Sequence, residues 1–163
     1  MSTFTTYNNI IARFELFATN HLQIRRFSQG NISVADLEKD GDYPVLHVVP
    51  GTFAADQQYQ YGIDVYVFDK PRDKDEFSKS DYQLEVISDC AQILNDVIAD
   101  MTNGGNVFLF DEGWAVELPV SITPFIQEQQ HVVTGVQASL NINLPWGLDA
   151  CELPLSTATP VVM

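Results

Sequence analysis

The 163-residue sequence is short of positive charge: eight Lys and Arg stand against 22 Asp and Glu, a formal net charge of −14. The shortage is uneven. Residues 1–79 hold all eight cations with 11 acids, while residues 80–163 hold 11 acids and neither Lys nor Arg. Binding to a phosphate backbone draws on clustered cations that release counterions, so the second half is unsuited to nucleic acid and to an anionic membrane surface. The exception would be a small basic patch such as Arg25-Arg26 in the first half. Long apolar runs are also missing. The longest, such as Val65–Phe68 and Val107–Phe110, fall far short of the ~20 residues that span a bilayer. The opening Met-Ser-Thr-Phe-Thr-Thr has neither a basic start nor an apolar stretch, which predicts no secretory signal. Cys90 and Cys151 are the sole cysteines and match neither a zinc spacing nor a disulfide framework, so both read as packed, reduced thiols of an intracellular protein.

Signatures of chemistry are absent in turn. There is no H-E-x-x-H helix, no G-x-S-x-G elbow, no phosphate loop and no dinucleotide fingerprint. Gly104-Gly105 precedes a strand rather than a helix and so offers no helix N-terminal amides to a phosphate. His21, His47 and His131 are far apart, and each reads as a structural residue of its own element. Asp36, Glu38, Asp40, Gly41 and Asp42 imitate the start of a calcium loop, but its twelfth position is His47 and the segment reads as an acidic turn. The expectation is a protein with no catalytic residues, no metal and no cofactor.

What is present is a globular composition, with 45% hydrophobic and 18% charged residues in a length suited to one domain. Tyr7, Ile10, Ile11, Phe14, Phe17, Ala18 and His21 recur at helical spacing and predict a helix over 5–21. A short strand over 22–29 follows, then a strand over 43–49 with Pro44 near its start, and a loop over 51–58. Residues 59–69 predict a central strand covered on both sides, with Tyr61, Ile63, Val65 and Val67 on one face and Asp64, Tyr66 and Phe68 on the other. The charged stretch Lys70–Ser80 breaks every period and is expected to order only on a partner. A second helix, capped by Ser80 or Asp81 and ending near Met101, buries a stripe of Leu84, Ile87, Ala91, Leu94, Ile98 and Met101. Val86, Cys90, Ile93 and Val97 lie beside that stripe, and Glu85, Asp89, Gln92, Asp96 and Asp100 fall on the opposite side. Strands are expected over 106–110, 114–122 and 133–144, the last alternating Val136, Ala138, Leu140, Ile142 and Leu144 inward with Gln137, Ser139, Asn141 and Asn143 outward. The reading is a single α+β domain over 1–144, a twisted and mainly antiparallel β-sheet with two main helices on one face, and an extended tail over 145–163 lying on its own or a neighbouring subunit.

This order of elements resembles the tail-terminator and tail-completion (neck, head-tail connector) proteins of tailed bacteriophages. The likeness runs over roughly residues 5–155 and rests on local texture. Asp36-Leu37 and Tyr43-Pro44-Val45-Leu46-His47-Val48 lead into a long strand ending Val67-Phe68-Asp69. Then come Glu85-Val86-Ile87-Ser88-Asp89 in the acidic helix, Thr134-Gly135-Val136-Gln137-Ala138 opening the last strand, and Cys151-Glu152-Leu153-Pro154 after it. The resemblance implies a non-enzymatic virion protein, assembled in the host cytoplasm, in a homo-oligomeric ring of about six or twelve copies that meets other neck, connector or tail-tube proteins. The charge split suits head-to-tail contact: Arg25, Arg26, Lys70, Arg72 and Lys74 would face Glu85, Asp89, Asp96 and Asp100 of the next subunit. The alternative from the residues alone is a monomeric binding module with a pocket lined by Tyr59, Tyr61, Tyr66 and Trp114.

Overall fold

The computed structural model describes residues 7–30, 43–55, 58–69, 79–102, 107, 115–128 and 132–145. The elements run α1 (Tyr7–Asn20), β1 (Arg26–Gln29), β2 (Val45–Ala55), β3 (Gln58–Asp69), α2 (Lys79–Thr102), β4 (Ala115–Val116), β5 (Ile122–Glu128) and β6 (Val132–Pro145). The six strands form one sheet in the order β1-β2-β3-β6-β4, with β5 also on β6. Among the described strands only β1 and β2 run parallel. The α+β reading with a mainly antiparallel sheet therefore stands.

β3 and β6 form the centre, in register from Gln58↔Pro145 to Asp69↔Thr134 without a break. Their alternation sends Tyr61, Ile63, Val65, Val67, Val136, Ala138, Leu140, Ile142 and Leu144 into one buried cluster. Both helices close this cluster, with Ile10, Phe14 and Phe17 from α1 and Cys90, Ile93, Leu94, Val97 and Met101 from α2. His21 Nε2 lies 2.9 Å from Asp96 Oδ2, and Arg13 Nη1 donates to the Val107 carbonyl just past α2, so the two helices lie antiparallel. At the start of α1, Tyr7 meets Phe53 and Tyr61 of the β2–β3 hairpin, with ring centroids 5.3 and 6.4 Å away.

Several boundaries differ from the sequence reading, each for a local reason. The strand expected over 22–29 begins only at Arg26, and Leu22 is 92% exposed. The expected loop over 51–58 is largely strand, because β2 continues to Ala55 through a bulge between Pro50 and Phe53. Gly51 and Gly62 make that bulge possible: a Cβ at Gly51 would lie 2.9 Å from the Gly62 carbonyl oxygen. α2 starts at Lys79, one residue before the expected cap, and Leu84 is 67% exposed. Its buried stripe is centred on Cys90, Ile93, Leu94, Val97 and Met101, a shift of about one position around the helix.

The strand expected over 114–122 is two strands. From Val116↔Ile142 to Ile122↔Ala138, the edge takes six residue steps against four on β6. Pro119, which has no N–H to donate, sits in that excess, and β5 resumes the pairing over residues the sequence pattern left unassigned. Of the strand expected over 106–110, Val107 is buried and the rest lies outside the described residues, as do the turn at 111–113, segments 31–42 and 70–78, and the tail from 146.

Gly135 holds β6 against β3. A Cβ there would meet the Val67 carbonyl oxygen at 2.1 Å and Phe68 Cα at 2.6 Å, both backbone atoms that cannot step aside. Gly135→Ala is expected to destabilise the fold by about 1–3 kcal/mol, the usual cost of overpacking. Urea unfolding checks this as a lower midpoint at unchanged slope. Cys90 is 1% exposed, and burial, reinforced by Asp69 and Asp89, pushes its thiol up to about 12. Iodoacetamide should therefore leave Cys90 unmodified in the native protein and alkylate it in urea, as read by peptide mass mapping.

Candidate functional site

The sheet face away from the helices carries the molecule's organised polar groups. Register places Arg26 beside Val45 and Ser28 beside His47 on this face. Val45, Phe68 and Val133 form a second, smaller buried cluster there, flanked by Tyr43, Tyr66 and Phe125. The Arg26 guanidinium carbon lies 5.7 Å from the Tyr43 ring centroid, and Tyr66 meets Phe125 edge-on at 5.9 Å.

His47 is fully buried in this half of the face. Its Nε2 lies 2.8 Å from the Gly30 carbonyl oxygen, an acceptor only, so Nε2 carries the proton. Nδ1 then accepts from the Ser28 hydroxyl at 2.5 Å. Burial is the largest cause holding the imidazole below its ordinary value, Arg26 adds to it, and the Gly30 hydrogen bond opposes it. Ser28 and His47 form a nucleophile-and-base pair in name, but both ring nitrogens are engaged and the ring has no solvent contact. The pair's chemical role is to tie β1 and the chain at Gly30 to β2.

The other half of the face is amide, hydroxyl and carboxylate. Glu117 accepts from Gln60 Nε2 at 3.0 Å, Asn141 Nδ2 at 3.3 Å and Asn143 Nδ2 at 3.4 Å. Gln60 Nε2 also reaches Asn143 Oδ1 at 3.1 Å, and the Ser139 hydroxyl donates to Asp64 Oδ1 at 2.7 Å. Where the edge strand leaves β6, a cleft of about 360 Å³ opens between Pro119, Ser121, Thr123, Gln137, Ala138 and Ser139.

The interface residues expected from the sequence fall on different surfaces. Arg25 is exposed, with its backbone N–H bonded to the Pro44 carbonyl, and Arg26 is half-buried over Tyr43. Glu85 and Asp89 are exposed on α2. Asp96 binds His21, and half-buried Asp100 accepts from the Val107 N–H at 3.2 Å, so both serve contacts within the chain. Lys70, Arg72 and Lys74 lie outside the described residues. The alternative pocket does not assemble: Tyr59 and Tyr61 lie on the helix side and Tyr66 on the other face, while Trp114 is outside the described residues.

The outward amides of β6 were legible from alternation. That Glu117 joins them was not, because the pairing that sets Glu117 beside Asn141 links residues far apart in the chain. Among the described residues no group of three or more His, Cys, Asp or Glu is placed to hold a metal ion, and no helix is long and apolar enough to cross a membrane. No protein-family model matches the chain, and no curated protein matches it.

His47 makes stability pH-dependent with a definite sign. The folded state favours the neutral ring more than the unfolded chain does. The stabilisation is therefore complete above the ordinary value of 6.5 and is lost as pH falls toward the depressed one. The difference in urea midpoint between the native protein and His47→Gln should shrink between neutral pH and about pH 5.

Proposed function

We propose that the protein is a structural subunit of a tailed-bacteriophage virion, a tail-terminator or neck-ring component that joins the tail to the head-proximal connector and carries no reaction of its own. The observation that supports it best is the placement of charge. A ring built head to tail needs two different, complementary surfaces on separate sides of each subunit. Glu85 and Asp89 stand exposed on α2, on the helix side of the sheet, while Arg26 lies half-buried on the opposite face and Arg25, next to it in the chain, is exposed. The excess of acid in the second half favours a basic neighbour. The resemblance over residues 5–155 supplies the context, with copies of the chain and other neck or tail-tube proteins as partners.

Asp96 and Asp100 are poor choices for a test because each holds a contact inside the subunit. Glu85→Lys with Asp89→Lys reverses exposed charge and leaves both of those contacts in place. The native chain should form multimers by light scattering, and rings by negative-stain microscopy. The double variant should stay monomeric with an unchanged circular dichroism spectrum. Rings that persist in the variant count against this contact, and a native chain that stays monomeric at every concentration counts against the ring.

A further inference from the structure

We propose that the open, polar half of the sheet face along β6 binds a neutral saccharide. The register sets out the surface in rows. Tyr66, Gln137 and Thr123 form one, Asp64 and Ser139 the next, then Gly62 and Asn141 with Glu117 alongside, and last Gln60, Asn143 and Ala115. From Gln137 to Asn143 the surface runs about 20 Å at ~3.4 Å per residue, room for a short oligosaccharide lying along the strand.

The polar groups are already held. The Glu117 carboxylate is fixed by three side-chain amides and Asp64 by the Ser139 hydroxyl. Carboxylates and amides in set planes suit vicinal hydroxyls, which donate and accept at once, and fixing them beforehand lowers the entropy lost on binding. The surface is also concave at one margin. The gap in pairing between β4 and β5 leaves Ser139 and Leu140 without a strand partner on that side among the described residues, and the cleft lined by Pro119, Ser121, Thr123 and Gln137 opens beside them. Gly62 puts no side chain between Asp64 and Gln60, and half-buried Tyr66 closes the far end with an apolar ring for a sugar's C–H face.

Charge separates the ligand classes. No Lys or Arg lies in these rows, and two carboxylates do, which opposes phosphate, carboxylate and single-stranded nucleic acid. The rows present amide and hydroxyl groups where an amphipathic helix would need an aliphatic groove.

The test is an NMR titration of the full chain with maltotriose, cellotriose, mannotriose and chitotriose, each to about 20 mM, following the side-chain amide signals of Gln60, Asn141 and Asn143. At least one sugar should shift these signals saturably, with a dissociation constant on the order of 1 mM. Asn141→Ala and Glu117→Gln should each weaken it by about tenfold or more, with the backbone spectrum confirming the fold and Ser139→Ala as a further variant where it does not. The proposal is overturned if no sugar moves these signals, if the shifts map elsewhere, or if they survive the substitutions. Broadening of the same signals with protein concentration alone would also overturn it, marking the face as a contact between chains.

Discussion

The unbroken pairing of β3 with β6 is the constraint on which the other elements depend. Twelve consecutive residue pairs fix which side chains of each strand face the helices, and a slip of one residue would turn every one of them over. The close approach of Gly135 to Val67 and Phe68 locks that register sterically, where a larger residue would have to push two backbones apart. β2 then adds to one side of β3, and β4 and β5 add to the far side of β6. The two helices cover a surface that the strand pairing has already made.

This arrangement gives the sheet two unlike faces. One is a continuous apolar core. The other is divided between an aromatic half, where buried His47 joins Ser28 to the Gly30 carbonyl, and a half of amides, hydroxyls and two carboxylates. A lone charge on an open face is well solvated and easily moved, whereas Glu117 is held by Gln60, Asn141 and Asn143 together, which gives that surface a defined shape. The ring contact draws on the helix side and the Arg26 end, and the saccharide surface draws on β6, so the two proposals concern separate residues.

Much of the fold was written in local periodicity. The α1 stripe and the alternation of β3 and β6 are each set by side chains meeting one continuous core, and there the sequence pattern and the structure agree. The pattern failed where backbone geometry departs from regular repeat. A bulge at Pro50–Phe53 let a strand pass through residues that read as a loop, and six steps against four at Pro119 divided one expected strand into two. Leu84 followed the helical period yet lies outside the core, since period tells which residues share a stripe but not where a neighbouring sheet ends. The candidate site was legible only in its β6 amides, because long-range hydrogen bonds such as Glu117 to Gln60 span 57 residues and leave no local trace.

The hairpin of β2 and β3 reaches past the end of β1, whose pairing stops at Val48. The outer margin of β2 from Val49 to Ala55 thus has no neighbouring strand among the described residues. Bare strand margins invite runaway stacking of one chain on the next during synthesis, when many nascent copies crowd together. Pro50 withholds a donor at the start of this margin and the adjacent bulge twists the remainder out of line. The irregularity that hid the far half of β2 from sequence reading is thus also a feature that disfavours edge-to-edge pairing of newly made chains.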